Sequence, residues 1–403
     1  MSRVSYRQTW VEVSLDAIYQ NAQTFKRNLS ERTKFMAVVK ADGYGHGAVE
    51  VAKTAIAAGA DALGVAFLDE ALVLRKANIK VPILVLGYTP PESCEDAVLN
   101  QITITVFSDD VVDELAHVTE KLNTRASVHL KVDTGMARVG VTSKEAAFSL
   151  AKKISILKNV ELEGIFTHFA NADSIDSTYT NTQFDKFKEV YQYLEKNNIR
   201  IPIKHCCNSA ATMSGRKYHL DMVRVGISLY GLYPSNELKN SSYRLEQAMT
   251  FKTKISAIKE ASEGDFISYG CTFEMKQDGM IATIPVGYAD GFSRALSNQG
   301  EVLVDGTRVP IVGRICMDQS MVDVSFMNEV FVGEEVTVFG SSNKNFISID
   351  EIAVQMGTIN YEVVCLVGKR VPRVYIKDND LFSFKNNLLE VEESEKVKSL
   401  SFI

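Results

Sequence analysis

The feature that most constrains the fold is a regular alternation of short apolar runs with helical patterns between residues 35 and 231. The apolar runs are FMAVVKA, ALGVAF, PILVLGY, ITITVFS, ASVHLKVD, LEGIFTHF, IPIKHCCN and MVRVGISLYG, and segments with a 3.6-residue period, such as NTQFDKFKEVYQYLEKN, separate most of them. Runs that are apolar throughout are typical of parallel strands covered on both faces. Eight such runs with a crossover after each of the first seven predict an α/β fold, a (β/α)8 barrel rather than an open doubly wound sheet.

Beyond residue 235 the pattern changes to short strands and turns. The segments MTFKTKISAIKE, GMIATIPVGYADG, EVLVDGTRVPIVGRI, MVDVSF and EEVTVFG are separated by glycines and charged turns, and long helical patterns are scarce before SIDEIAVQMG. A chain of 403 residues is also longer than one ordinary domain. We therefore predict a barrel domain over residues 12–240, a mostly β domain over residues 241–390 and a solvated tail over residues 391–403.

Composition and charge exclude several classes of protein. A net charge of −6 and a pI near 5.7 argue against a nucleic-acid-binding surface. No segment has the length and apolarity of a signal peptide or a membrane span. The six cysteines are dispersed without C-x-x-C spacing, which predicts reduced thiols and neither a disulfide framework nor a metal site. We expect a soluble, cytoplasmic protein.

Several polar residues follow the predicted strands directly. In barrels of this type the catalytic groups lie at the carboxyl ends of the strands, where Lys40, Lys131, His168, Ser209 and Arg224 are expected. A single strand-end histidine is more often a hydrogen-bonded core residue than a catalyst. A lysine there is more informative, because burying an unpaired ammonium is unfavourable.

The chemistry that suits Lys40 is a Schiff base. Desolvation lowers the pKa of a lysine, and the neutral amine can attack an aldehyde such as that of pyridoxal 5'-phosphate. That cofactor also needs a phosphate site, which the loops after the last two strands of a barrel commonly supply. Here these loops offer Ser209 and the backbone around Gly226–Ile227.

At this point the sequence resembles a known family. AVVKADGYGHG is similar to the pyridoxal-phosphate attachment segment of alanine racemases, and the similarity continues in order through LKVDTGMARVG, THFANAD, CNSAAT, MVRVGISLYG, SYGCTF, VGYADGFSR, GRICMDQ and NYEVVC. The resemblance implies a fold-type III enzyme with an N-terminal (β/α)8 barrel and a C-terminal β domain. It also implies a head-to-tail homodimer with shared active sites, and it assigns the strand TWVEVS, and with it residues 1–11, to the β domain.

The resemblance implies a two-base reaction. Lys40 resembles the lysine that binds the cofactor covalently and acts as the base on one face of the substrate α-carbon. Tyr269 resembles the base on the opposite face, which in that family comes from the partner subunit. Two bases that flank a planar carbanion suffice for racemisation, and a phenol needs a cationic or donor neighbour, here His168, to act at neutral pH. Arg224 resembles the arginine at the pyridine nitrogen, which should limit side reactions because arginine does not readily give up its proton.

Further residues match the family's binding sets. The cofactor-binding set comprises Lys40, Tyr44, His168, Ser209, Arg224, Gly226, Ile227 and Tyr361. Arg138, with Met317 from the other subunit, resembles the pair near the cofactor phenol oxygen and the substrate carboxylate. Lys131 resembles a lysine that is often carbamylated and that positions Arg138. The substrate access corridor is predicted at Asp173, Tyr288, Arg294, Arg314 and Ile359. An interface salt bridge of Arg314 and Asp318 is as well supported as a role of Arg314 in this corridor.

Four functions are compatible with parts of this pattern. The resemblance favours interconversion of L-alanine and D-alanine, which supplies D-alanine for peptidoglycan. A serine or broad-specificity racemase of the same fold is the main alternative, although Tyr361 and the lack of a signal peptide favour alanine. Arg224 argues against a decarboxylase of the same fold type. Tyr269 and the second domain argue against a non-catalytic cofactor-binding barrel.

Overall fold

The computed structural model describes residues 5–343, 345–389 and 391–394, which form two compact units. The barrel unit comprises residues 17–43 and 48–246. The β unit comprises residues up to 16, residues 44–47 and residues from 247 onward, and it contains the first strand, β1 (Thr9–Ser14).

The barrel unit contains one sheet of eight strands, all parallel. They are β2 (Lys34–Val38), β3 (Ala62–Val65), β4 (Ile83–Tyr88), β5 (Thr103–Val106), β6 (Ala126–Lys131), β7 (Val160–Phe166), β8 (Ile203–His205) and β9 (Met222–Val225). The order β8-β7-β6-β5-β4-β3-β2-β9 is a ring that closes between β8 and β9. There the N–H of Asp221 donates to the carbonyl of Lys204, whose own N–H donates to the Asp221 carboxylate.

The helices alternate with these strands. They are α1 (Leu15–Asn28), α2 (Ala48–Ala57), α3 (Leu68–Lys76), α4 (Cys94–Leu99), α5 (Asp109–Lys121), α6 (Lys144–Ser155), α7 (Thr178–Lys196) and α8 (Ser209–Ser214). Helix α6 illustrates the sequence logic: Ser143 caps its first turn, its last turn is basic, and a stripe at 3.6-residue spacing that includes Leu150 and Ile154 is buried. Strands between such helices are apolar on both faces, as in β3, whose four residues are all buried.

The barrel interior is filled by side chains. Met36, Ala62, Leu84, Ile203 and Met222, from five different strands, form one buried cluster. Burying a side chain such as Met36 or Leu84 contributes about 1.5–3 kcal/mol. The barrel is therefore a packed core, and a ligand is expected to bind at its edges.

The β unit is built mainly of strands. They are β10 (Met249–Lys254), β11 (Ala257–Ala261), β12 (Phe266–Ile267), β13 (Phe273–Glu274), β14 (Gly279–Ile284), β15 (Glu301–Val304), β16 (Thr307–Pro310), β17 (Ser320–Asp323), β18 (Glu335–Ser342), β19 (Asn345–Ile347), β20 (Arg373–Lys377), β21 (Asp380–Asn386) and β22 (Val391–Ser394), with helices α9 (Ile349–Met356) and α10 (Asn360–Cys365). Strand β1 pairs antiparallel with β10 and parallel with β20, and Trp10 packs on Val374 and Phe384. In this structure TWVEVS thus pairs within the sheet of the β unit.

The predicted fold class is confirmed, because each of the eight apolar runs overlaps one barrel strand and the C-terminal part is mostly strand. The chain division differs from the predicted ranges in detail. Residues 44–47 group with the β unit, and residues 391–394, which the sequence assigned to the tail, pair as β22 with β21. The rest of the predicted tail, residues 395–403, lies outside the described residues. All six cysteines are free thiols, and no helix of the described ranges is long and apolar enough to cross a membrane.

Candidate active site

Five predicted site residues lie at the carboxyl edge of the barrel. Lys40 follows β2 by two residues, Lys131 is the last residue of β6, and His168 follows β7 by two residues. Ser209 begins α8 directly beyond β8, and Arg224 lies within β9. Since all eight strands are parallel, their carboxyl ends share this edge.

Lys40 is held by a left-handed turn. Ala41, Asp42 and Gly43 have φ values of 53°, 49° and 61°, a conformation that costs a non-glycine residue about 1–2 kcal/mol. Two carboxylates stabilise the turn. Glu70 accepts the N–H of Ala41 at 2.6 Å and also the N–H groups of residues 66 and 67, and Asp42 accepts the N–H of Ala48 at 2.9 Å. The backbone that carries Lys40 is therefore fixed from both sides.

Lys131 is buried over an aromatic ring. Its Nζ lies 4.4 Å from the centroid of the Phe166 ring. Burial, and then the positive charges of Arg224 and Arg138, hold the pKa of Lys131 well below its usual range. The unprotonated amine, which has a free electron pair for reaction, is therefore more accessible here than in an exposed lysine.

Arg224 is buried at the same place and stays charged. Its Nη1 donates to Nδ1 of His205 at 2.9 Å, and its Nη2 contacts the carbonyl of Thr167 and Nδ1 of His168, both at 3.0 Å, and the carbonyl of Cys206 at 3.3 Å. Burial lowers the pKa of Arg224 to about 10, so the group remains protonated at neutral pH. Within the described ranges no carboxylate contacts this guanidinium.

His168 is a neutral donor. Burial, followed by the charges of Arg224 and Lys131, keeps the pKa of His168 well below its usual range. Arginine can only donate hydrogen bonds, so Nδ1 of His168 accepts from Arg224 and the ring proton must be on Nε2. Of the two kinds of neighbour predicted for the catalytic phenol, His168 can provide a hydrogen-bond donor but not a cation.

Arg138 is positioned through the backbone by Asp133. The Asp133 carboxylate accepts the N–H groups of Gly135, Met136, Ala137 and Arg138 at 2.9, 3.0, 3.1 and 3.1 Å. Burial alone would raise the pKa of Asp133, but these hydrogen bonds outweigh it and the pKa lies below the usual value. The loop thus wraps around an anion that belongs to the protein, and the side chain of Arg138 remains exposed.

The predicted phosphate-binding groups of the barrel meet at one point. Oγ of Ser209 accepts the N–H of Gly226 at 2.9 Å, and Ile227 begins a short 3-10 turn (Ile227–Tyr230). Tyr230 closes this turn onto the barrel by donating from its hydroxyl to the carbonyl of Val38, at the end of β2, at 3.1 Å. Backbone N–H groups at the start of such turns suit an anionic oxygen.

The remaining two phosphate candidates are neighbours in the β unit. The rings of Tyr44 and Tyr361 lie 6.3 Å apart between centroids. Tyr44 belongs to residues 44–47, where Gly45 and Gly47 allow close approach: a Cβ atom would lie 2.2 Å from the carbonyl oxygen of Val364 at Gly45, and 1.8 Å from the hydroxyl of Tyr375 at Gly47.

Tyr269 lies on a strained and exposed turn. The residue before it, Ser268, has a φ of 67°, and its Oγ donates to the carbonyl of Arg314 at 2.6 Å. The Arg314 guanidinium lies beside Gly270, 3.4 Å from where a Cβ would be. Tyr269 itself is 72% exposed.

Met317 and Tyr288 lie on loops that a buried carboxylate holds together. Asp290, fully buried, accepts hydrogen bonds from Arg7 at 2.5 Å and from Arg370 at 2.6 Å. Arg370 also donates to Asp318 at 2.6 Å and to the carbonyl of Met317 at 3.3 Å. Asp318 is thus paired with Arg370 within this chain, and an interface salt bridge of Arg314 and Asp318 stays a prediction.

The other predicted corridor residues are in both units. Asp173, in the barrel unit, accepts at its carbonyl from Oγ of Ser235 at 2.8 Å. In the β unit, Arg294 begins a short 3-10 turn, and Ile359 is exposed immediately before α10.

Sequence reasoning missed the residues that support these groups. Glu70, Asp133 and Asp290 are single carboxylates that accept several N–H groups each, and nothing in a helical or strand pattern distinguishes them from surface residues. Asp133 carries a usable signal, because an aspartate two residues before a glycine favours a turn that it caps itself.

A lysine, a neutral histidine and a buried arginine lie together at the carboxyl edge of the barrel. This arrangement indicates an enzyme with a (β/α)8 fold. Family profiles match both parts of the chain: the alanine racemase N-terminal domain over residues 13–234 and the C-terminal domain over residues 248–375. A relative from Oceanobacillus iheyensis called alanine racemase 2 is 51% identical over 97% of this chain and 99% of its own length. The chain therefore belongs to the alanine racemase family, and it is an amino-acid isomerase.

Solved structures agree with this assignment. The crystal structure of alanine racemase from Bacillus anthracis with bound L-Ala-P matches with a TM-score of 0.92 and 41% identity, over 96% of this chain and 100% of the other. Histidine racemase from Leuconostoc mesenteroides subsp. sake matches with a TM-score of 0.85 and 30% identity, over 93% and 99%.

Replacing Asp133 should loosen the loop that carries Arg138. In Asp133→Ala we expect hydrogen exchange at residues 135–138 to accelerate at least about tenfold, because the N–H groups lose a charged acceptor. In the native protein the protection should be complete at neutral pH. It should fall as the pH drops below the ordinary aspartate value of 3.8, since a lowered pKa stabilises only the ionised form. Asp176→Ala, which removes a similar but exposed turn contact, is the control, and equal exchange in both variants would contradict the argument.

Proposed function

We propose that this enzyme interconverts L-alanine and D-alanine with pyridoxal 5'-phosphate bound at the carboxyl edge of the barrel domain, residues 12–240. The observation that carries the proposal is the buried Arg224, a cation that no carboxylate of the described residues contacts, beside the neutral donor His168. The names of the relatives support alanine as the substrate.

The residues present fit this cofactor. Lys40 is held on a rigid turn at the edge, where it can bind an aldehyde. Ser209 offers its hydroxyl proton to a phosphate and Ile227 its backbone N–H, beside Gly226, whose own N–H donates to Ser209, with Tyr44 and Tyr361 as further donors. The Nε–H of Arg224 is not used by any acceptor among the described residues, so it remains for a ring nitrogen.

The chemistry that the cofactor supplies when bound is electron withdrawal, which acidifies the Cα–H bond of the amino acid. The protein then has to move protons on two faces of that carbon. Lys40 removes or returns the proton on one face, and the phenol oxygen of Tyr269 acts on the other. His168 stabilises the phenolate by donating from Nε2. Arg224 orients the ring but keeps its own proton, which restricts charge delocalisation and suppresses transamination.

The substrate carboxylate requires a cation, and Arg138 is the candidate, with Met317 contributed by the second subunit. Lys131 stabilises Arg138 if its amine carries CO2 as a carbamate, because the group then becomes an anion. Only an unprotonated amine can react with CO2, and burial favours that form of Lys131 by lowering its pKa.

A homodimer with shared active sites is part of the proposal. Tyr269 is 72% exposed and the large apolar side chain of Met317 is 53% exposed, which is unusual for residues assigned to a site that excludes water. Exposure in the single chain is expected if a second subunit covers them. Tyr288, Arg294, Arg314 and Ile359, with Asp173, would line the access corridor.

The second candidate function is racemisation of another amino acid, and the similarity to a histidine racemase supports it. A hydrophobic pocket rejects an added hydroxyl only by about 100-fold, so some serine turnover is expected. The proposed role of the enzyme is to act in the cytoplasm and to supply D-alanine for peptidoglycan.

The two-base proposal predicts an asymmetric effect of Tyr269→Phe. We expect racemisation to fall by about 10²–10⁴-fold, the usual contribution of a positioned acid–base group. Exchange of the α-hydrogen with solvent deuterium should persist for one enantiomer of alanine, through Lys40, and disappear for the other. Mass spectrometry of both enantiomers in D₂O measures this, with the exposed Tyr88→Phe as control. Unchanged racemisation would remove the two-base mechanism.

Shared sites predict complementation between two inactive variants. Lys40→Ala and Tyr269→Phe, co-expressed with different tags, should recover up to about a quarter of wild-type activity, because half of the dimers are mixed and one of their two sites is intact. No recovery in isolated mixed dimers would show that both residues act from the same subunit.

The carbamate can be observed directly. In protein equilibrated with ¹³C-bicarbonate, we expect a carbamate resonance that disappears in Lys131→Ala and persists in the control Lys186→Ala. The physical reason is that a lowered pKa increases the unprotonated fraction of Lys131, which is the form that reacts with CO2. A resonance that survives in Lys131→Ala, or none in the wild type, would overturn the assignment.

A further inference from the structure

A chain of side-chain hydrogen bonds leads from Arg224 through the inside of the barrel to Glu163. Nη1 of Arg224 lies 2.9 Å from Nδ1 of His205, Nε2 of His205 lies 2.8 Å from Nδ1 of His129, and Nε2 of His129 lies 3.3 Å from Oε2 of Glu163. Both histidines are buried, whereas the Glu163 side chain is 30% exposed. None of these three residues is part of the predicted site.

The chemistry of arginine fixes every proton along this chain. Arg224 can only donate, so Nδ1 of His205 must accept and Nε2 of His205 must carry the proton. Nε2 of His205 then donates to Nδ1 of His129, which leaves the proton of His129 on its Nε2, directed at the carboxylate. Burial, and then the charge of Arg224, keep the pKa of His205 well below its usual range, in agreement with a neutral ring.

The backbone is shaped around these rings. Residue 163 is the extra residue of a β-bulge, because Val128 pairs with Leu162 and His129 pairs with Gly164. A Cβ at Gly164 would lie 2.6 Å from Cε1 of His129, so only glycine leaves space for that ring. The His205 ring stacks on Phe166 at 4.7 Å with 5° between the planes. Both imidazole planes are therefore fixed by packing.

The carboxylate end reaches the opposite edge of the barrel. Glu163 and His129 line a cavity of about 40 Å³ together with Lys34, Asp61 and Thr103, which lie at or next to the first residues of their strands. The hydrogen bond from His129, with the nearby charge of Lys34, holds the pKa of Glu163 below its usual range despite burial. The chain thus joins an anion at the amino edge to a cation at the catalytic edge.

We propose that Glu163, His129 and His205 form a positioning relay that fixes the orientation of Arg224 through the tautomers of two neutral imidazoles. A carboxylate in direct contact would neutralise the guanidinium. A carboxylate that is separated from Arg224 by two imidazole rings instead fixes the Nη1 edge of the guanidinium. The guanidinium then keeps its full positive charge, and its Nε–H is available to a ligand. This inference rests on the proposed function, because the ligand is taken to be the pyridine nitrogen.

The test uses the cofactor-loaded enzyme with ¹⁵N-labelled histidine, of which the chain has six residues. In the wild type, His129 and His205 should each give the signals of a neutral ring protonated at Nε2. Glu163→Met has similar length but no strong acceptor for the Nε2–H of His129. If the relay orients Arg224, its Nη1 then turns away from His205 for part of the time, and we expect mixed tautomers for both rings. The absorbance band of the bound cofactor should shift, and kcat for alanine should fall about tenfold with little change in KM, as for an interaction made mainly in the transition state.

Two further variants make the result specific. Glu163→Gln retains an oxygen acceptor and should restore the wild-type tautomers and most of kcat. Glu161→Met, at an exposed position of the same strand before the bulge, is the matched control. Wild-type rings that are charged or protonated at Nδ1, a glutamine variant as impaired as the methionine variant, or a methionine variant with unchanged cofactor absorbance and kcat would each overturn the relay. Failure of the proposed function is distinct: the wild type itself would then lack the cofactor band or racemase activity.

Discussion

The arrangement of the site depends on a guanidinium that is buried without a carboxylate beside it. Removing the charge of Arg224 from water is unfavourable by several kcal/mol unless other dipoles replace the solvent. The barrel supplies them as two imidazole nitrogens, two backbone carbonyls and the face of Phe166. Burial, and then this positive charge, lower the pKa values of Lys131 and His168. The buried cation therefore favours the unprotonated forms of its neighbours.

Much of the fold follows from the sequence, because parallel strands covered on both faces must be continuously apolar, and FMAVVKA or ITITVFS have no other stable environment. The division of the chain into two units is harder to predict from the sequence. That residues 44–47 belong with the β unit depends on close contacts of Gly45 and Gly47 with residues more than 300 positions away, which no local pattern encodes. Strand β22 is equally difficult to predict, because its acidic sequence is typical of a tail and only its pairing with β21 makes it a strand.

For the site, the sequence indicates the residues that carry chemistry but not those that hold them. Lys40 and Arg224 are visible because a charge within an apolar run needs an explanation. His129 and His205 have the same property in ASVHLKVD and IPIKHCCN, but a single histidine in a strand is usually a satisfied core residue. Only the three-dimensional structure shows that each satisfies the other. Tyr269 is a third case: its assignment rests on family resemblance, since a tyrosine on an exposed turn has no physical signature of a base.

The left-handed turn after Lys40 has a consequence for the energetics of repeated turnover. Its unfavourable backbone conformation is offset once, during folding, by the carboxylates of Glu70 and Asp42. If Lys40 is the reacting group, as proposed, a lysine on a mobile loop would instead lose conformational entropy every time it returned to its reacting position, and that loss would recur in each catalytic cycle. In this fold the ordering of the backbone that carries the lysine occurs once, during folding.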